Sequence, residues 1–151
     1  MRQSQWACND PEFLRQVLSQ AEVLFLSVNA DGFPYVVPVN FVFLDGKIYF
    51  HSSPKGMKME LIARDGRVGF SVAADVNIVP HKSTTYYKSV CGTGRASVVE
   101  DLSEKGAALD AIAERYGAAC PRPTPENVLR NVGIVRIDVA AMTGKNRPQQ
   151  A

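Results

Sequence analysis

Phe33-Pro34-Tyr35-Val36-Val37-Pro38-Val39-Asn40-Phe41-Val42-Phe43-Leu44-Asp45-Gly46-Lys47-Ile48-Tyr49-Phe50-His51 is the stretch that decides the fold. Its first part, Phe33–Phe43, is rich in β-branched and aromatic residues and predicts a strand. Leu44-Asp45-Gly46-Lys47 then carries the Asp-Gly signal of a tight hairpin, and Ile48–His51 predicts the returning strand. Pro34 and Pro38 cannot donate to a ladder, so the first strand belongs at an edge, a bulge or an opening of the sheet, and that spot is a candidate ligand mouth. Immediately upstream, the apolar run Val23–Val28 and the turn Asn29-Ala30-Asp31-Gly32 add one more strand, which implies three antiparallel strands in a row.

The same reading extends in both directions. Asn9-Asp10-Pro11-Glu12 is a helix start, with Asp10 as cap, Pro11 in the first turn and Glu12 complementing the dipole. Phe13, Leu14, Val17, Leu18 and Ala21 then share one helical face. After the loop Ser52–Gly56, a short helix runs through Met57, Leu61 and Ile62 to Asp65-Gly66. Arg67–Val76 and Thr85–Val99 read as strands, the second with Gly92 and Gly94 as bending points. Asp101 or Ser103 caps a helix with apolar positions Ala108, Leu109, Ile112, Ala113 and Tyr116, closed by Gly117. Ala118–Asn127, with three prolines, reads as a loop, and Val132–Val139 alternates as a half-exposed strand. About six strands separated mostly by tight turns, with two or three short helices, predict a mainly β protein of α+β type, a closed or nearly closed antiparallel barrel forming a single domain over 1–151. A parallel doubly wound sheet would require a helix after nearly every strand.

The 46% hydrophobic and 21% charged residues are those of an ordinary soluble globular protein, and no apolar run approaches the ~20 residues of a membrane span. The amino-terminal residues lack the apolar core of a secretory signal, so a cytoplasmic location is expected. Seventeen basic against 15 acidic residues, without a dense basic block, argue against nucleic acid as partner. The three cysteines are far apart and the histidines number two, which leaves no metal-site spacing. Demanding chemistry here therefore requires an organic cofactor.

Candidate chemistry centres on His51-Ser52-Ser53-Pro54-Lys55-Gly56-Met57-Lys58, between a strand and a helix, where backbone N–H groups, hydroxyls and lysines can converge on an anion. The segment lacks the Walker A spacing, and a solvated turn with surface lysines is the structural alternative. Alternation with Ile48 and Phe50 turns His51 away from Phe50. A lone strand histidine serves more often as a hydrogen-bonded structural group than as a catalyst. Asn40, among apolar neighbours, calls for partners if buried, either backbone groups or the polar edge of a ring system. His81 has no constellation around it. Trp6, Tyr86 and Tyr87 can stack on a planar ligand or a partner subunit, or simply pack. Arg95 is an exposed strand residue or an inter-subunit anchor. No nucleophile elbow supports serine hydrolysis.

Five fragments in this order carry a resemblance: Tyr35–Phe41, Ile48–Ser52, Gly56-Met57-Lys58, Tyr87–Val90 followed by Gly92-x-Gly94-Arg95-Ala96, and Met142-Thr143-Gly144-Lys145. Together they resemble the nitroimidazole-resistance branch of the pyridoxamine-phosphate-oxidase-like flavin proteins, from about the first helix to Lys145. The resemblance implies a split β-barrel homodimer with FMN in a groove between subunits. It places Val37, Pro38, Val39 and Asn40 beside the flavin, His51, Ser52, Gly56, Met57 and Lys58 at the turn that holds the phosphate, and Lys58 as the salt-bridging residue. His51, near the flavin, is the candidate catalytic residue for reduction of a small, nitroaromatic-type substrate. Met57 stands where the oxidase proper has an arginine, and the arginine- and histidine-bearing motif for a pyridoxal-type substrate is not visible after Gly144-Lys145, so vitamin B6 oxidation is not implied. Related proteins bind haem or a deazaflavin, which makes a non-enzymatic flavin- or haem-binding protein the alternative.

Overall fold

The structure is a computed structural model that describes residues 4–149. Asp10 caps the first helix, α1 (Pro11–Gln20), its carboxylate accepting from the N–H groups of Glu12 and Phe13 at 3.0 Å. The strands are β1 (Leu24–Asn29), β2 (Pro34–Val39), β3 (Val42–Leu44), β4 (Lys47–Ser52), β5 (Arg67–Val79), β6 (Thr84–Val98) and β7 (Gly133–Arg147). Between them lie α2 (Met57–Arg64), α3 (Leu102–Arg115) and the short α4 (Glu126–Leu129). All seven strands form one antiparallel sheet in the order β2-β1-β5-β6-β7-β4-β3, curled into a split barrel. Asp101, not Ser103, caps α3, accepting from Glu104 N–H at 2.7 Å.

The expected strand Phe33–Phe43 is two strands. β2 pairs with β1 at one edge of the sheet and β3 pairs with β4 at the other, so the expected three strands in a row are two separate pairs. The chain passes from edge to edge through Asn40 and Phe41. The side chain that diverts it comes from the end of α3: Tyr116 Oη accepts from Phe41 N–H at 3.1 Å and lies 3.2 Å from Phe41 O and 2.8 Å from Glu22 O, both of which can accept its proton. Arg115 Nη2 donates to the carbonyls of Leu18, Ser19 and Ala21, closing the carboxyl end of α1, and its guanidinium sits 4.4 Å from the Phe41 ring centroid. Tyr116→Phe should leave the Phe41 N–H unpaired in a buried position and lower stability by about 1–3 kcal/mol, read from chemical denaturation.

The hairpin at Asp45-Gly46 forms as expected, with both residues at positive φ and Leu44 opposite Lys47. The proline-bearing strand β2 is indeed an edge. Other boundaries differ too, and β5 runs on to Val79. α4 begins within the expected loop, where the carbonyl of Pro125 accepts from Val128 and Leu129 N–H at 3.0 and 3.1 Å. β7 runs on to Arg147, since its polar end pairs with β6 and is bridged by Ala7. Gly92 and Gly94 lie at the bend, where a register shift follows Thr93. A Cβ on Gly92 would fall 2.3 Å from the Phe70 ring, so only glycine lets that ring fill the barrel.

Two cores flank β4. Ile48 and Phe50 face the barrel interior with Leu18, Leu24, Leu26, Phe41, Val135 and Ile137. Tyr49 faces outward with Ile134 and Val42 beneath Ala108 and Ile112 of α3. This wing of the sheet is covered on both faces, which is why Ile48-Tyr49-Phe50 and Ile134-Val135 read as unbroken apolar runs. Among the described residues no helix is long and apolar enough to cross a membrane.

Candidate functional site

β4 alternates, so His51 leaves it on the Tyr49 side, toward α3, as its register predicts. There it meets Asn40, from the β2–β3 crossing, at a cavity of about 360 Å³. Leu109 and Ile112 of α3 and Tyr116 just after it line this cavity, together with Val128 and Val132. Among the described residues no charged side chain lines this cavity, and His51 and Asn40 bring an imidazole and an amide to it, the pattern of a small-molecule pocket. Asn40 is exposed, so the demand that a buried amide makes does not arise; its Nδ2 lies 3.4 Å from Glu22 O, because the crossing between sheet edges runs over the surface. The α3 and α4 walls were missed as site elements, since the stripe Leu109-Ile112-Tyr116 reads equally as packing.

A polar clamp fixes that roof. Tyr49 Oη donates to Glu104 Oε1 at 2.9 Å, and Arg136 donates to the same carboxylate at 3.0 Å and to Asp138 at 3.1 Å. The Arg136 hydrogen bond holds Glu104 below the usual glutamate range. Burial, then the Glu104 hydrogen bond, pushes Tyr49 from 10.0 up to about 12. The neutral phenol is thus favoured by folding: its contribution is full below pH 10 and is lost as pH rises through about 12. Tyr49→Phe should remove this alkaline loss, seen as a flatter stability profile from pH 9 to 12.

Lys58 stands on the other face of β4. It is half-buried on α2, its Nζ 5.3 Å from the ring centroid of Phe50, and it has no carboxylate partner among the described residues. Partial burial holds its ammonium below the usual lysine range. The turn before it is built by Gly56 at φ 124, a conformation reserved for glycine, whose carbonyl accepts from Met59 and Glu60 N–H at 3.0 and 3.1 Å. Gly133 lets this turn approach: a Cβ there would lie 3.1 Å from Ser52 O and 3.3 Å from Pro54 Cα. Met57 is exposed and Ser52 half-buried. Val37 is half-buried, Pro38 exposed and Val39 buried, on a β2 edge with no second ladder partner among the described residues. The structure therefore joins His51 with Asn40, and Lys58 with the Ser52–Gly56 turn, but sets the two groups on opposite faces of β4. Among the described residues no group of three metal-ligating side chains occurs.

The family model for pyridoxamine 5'-phosphate oxidase matches residues 10–146, and the chain belongs to this family. It is similar to a candidate 5-nitroimidazole antibiotic resistance protein from Bacteroides thetaiotaomicron, at 29% identity over 92% of this chain and 85% of that one, with TM-score 0.79. A flavocytochrome from Azotobacter vinelandii (18% identity, 99% and 72% covered, TM-score 0.83) shares the fold. So does a FAD-binding protein from Mesorhizobium loti (23% identity, 94% and 97% covered, TM-score 0.71). No curated protein matches the chain.

Proposed function

We propose that the protein binds FMN and reduces a small neutral compound of nitroaromatic type. The observation that carries this reading is the uncharged cavity that His51 and Asn40 share, across β4 from a half-buried lysine lacking a carboxylate partner among the described residues. The residues present fit the cofactor. Lys58 and the Ser52–Gly56 turn supply a cation and hydroxyls for its phosphate, and the unpaired edge of β2 at Val37–Asn40 offers backbone groups to a ring with polar edges. A ligand held by both His51 and Lys58 spans the end of β4. Bound there, FMN supplies hydride or electron transfer. His51 donates a proton to the substrate, Asn40 orients it, and the apolar walls exclude water. Absorption of the purified protein tests the reading: flavin bands that bleach on photoreduction and return with 4-nitrobenzyl alcohol support it, and colourless protein that takes up no added FMN overturns it. The flavocytochrome likeness favours one other outcome, a non-enzymatic haem- or flavin-binding protein, which a Soret band or a flavin inert to acceptors would mark.

The reading includes a homodimer. Phe25 and Val36 are 52% and 55% exposed on the outer face of β1 and β2, in rows continued by Pro38 and by the small residues Ser71, Cys91 and Thr143. A second copy fits such a face. Light scattering should give twice the chain mass, and the double variant Phe25→Glu, Val36→Glu should give one chain mass.

A further inference from the structure

Between α3 and α4 the chain Ala118-Ala119-Cys120-Pro121-Arg122-Pro123-Thr124-Pro125 forms a strap beside the cavity that His51 and Asn40 share, and Ala118, Cys120, Pro121, Thr124 and Pro125 line that cavity. Its three prolines stiffen it and lack the N–H groups that would tie it to a neighbour. Both ends are anchored. Ala118 N–H donates to Ala113 O at 2.8 Å, just past Gly117, whose φ of 66 is a conformation glycine adopts freely. At the other end, Leu129 of α4 is buried beside Gly106 of α3. Between the anchors every strap residue except Thr124 is exposed.

One side chain of α3 holds Thr124 in place. Asp110 Oδ1 accepts from Thr124 N–H at 3.0 Å and from the Thr124 hydroxyl at 2.5 Å. Bonds to an ionised carboxylate are about twice as strong as neutral ones. Asp110 is half-buried, and among the described residues these two bonds are its only side-chain partners. The other side-chain tie from strap to helix there is Arg122 Nη1 at 3.8 Å from Glu114, an exposed pair of little weight. A stiff segment with a glycine at one end and a single strong latch near the other has the build of a flap, its few terminal residues absorbing the change in backbone angles. Asp110 itself does not line the cavity, so what it does there it does through Thr124.

We propose that Asp110 is a positioning residue for acceptor selection: by holding Thr124 it keeps the proline strap closed on the cavity, which admits small neutral acceptors and refuses larger ones. This inference rests on the reading of the cavity as the acceptor site, but the latch is tested apart from it. In the protein as purified, hydrogen exchange read by mass spectrometry should be about 10-fold or more faster at the Thr124 amide in Asp110→Ala than in the parent, with β4 and β7 unchanged. Asp110→Asn keeps an oxygen acceptor and should restore most of the protection. With FMN saturating and photoreduced, the parent should be reoxidised faster by 4-nitrobenzyl alcohol than by the bulkier 4-nitrobiphenyl. Asp110→Ala should shrink that preference by about 10-fold, while its limiting rate with 4-nitrobenzyl alcohol stays that of the parent. A merely structural aspartate would not change the ratio of two acceptors in folded protein. Unchanged Thr124 exchange in Asp110→Ala overturns the latch whatever the cofactor, and quickened exchange with an unchanged preference overturns its role in selection. Flavin inert to both acceptors in parent and variant alike, despite quickened exchange, would instead sink the acceptor reading and this inference with it.

Discussion

His51→Gln, saturated with FMN, is expected to return electrons from photoreduced flavin to a nitroaromatic acceptor about 100- to 10,000-fold more slowly than the parent protein, the usual weight of one general acid. Glutamine keeps much of the hydrogen-bonding reach of the side chain but has no proton to give up, so the slower rate isolates proton donation from binding. Reduction of a nitro group consumes protons as well as electrons, and among the described residues His51 shares the cavity with two other titratable side chains, the Tyr116 phenol and the Cys120 thiol. The Tyr116 hydroxyl is already engaged by Phe41 and Glu22. A purely structural histidine gives the opposite division: weaker FMN binding with normal turnover once flavin is saturating. That division would remove His51 from the chemistry.

Lys58→Ala is expected to weaken FMN by about 10- to 150-fold, the range for losing one charge-assisted contact worth about 1.5–3 kcal/mol. The loss should be larger at low salt, where the attraction is least screened. Partial burial holds the Lys58 ammonium below the usual lysine range. The free protein therefore gives up this proton earlier than an ordinary lysine does, and parent FMN affinity should begin to fall at a correspondingly lower pH. The alanine variant should lack that decline. Equal affinity in parent and variant, measured by titrating apo-protein, would assign the phosphate to other residues.

Local chemistry made the Asp45-Gly46 hairpin, the Asp10 cap and the outward turn of His51 legible in the sequence, because each is decided by residues a few positions apart. The division of Phe33–Phe43 was not. Val36–Leu44 is nearly continuous in apolar character, and what breaks it is the Tyr116 hydroxyl, delivered from the end of α3. The same distance effect hid the cavity: His51 and Asn40 were marked singly, whereas their shared pocket needs α3 and α4 folded over β4. The polar end of β7 carries no strand periodicity, and its pairing with β6 and Ala7 is a property of the assembled sheet. The resemblance brought Lys58 and His51 to one turn in sequence. It did not reveal that β4 lies between them.

The crossing at Asn40 and Phe41 bears on how the chain finds its structure. β1–β2 and β3–β4 are neighbours in sequence and can zip early, but they sit at opposite margins of the sheet. Nothing joins the margins through strand pairing until Lys47 finds Asp138 and Leu26 finds Phe70. The loop-closure entropy of the first of these pairings must be met before its contacts form. The two hairpins are therefore expected to form within microseconds and the sheet to close on the millisecond-to-second scale of topologies dominated by distant contacts. Slow closure would leave the early hairpins waiting with free edges, and the two prolines of β2 then guard one of those edges against pairing with another chain.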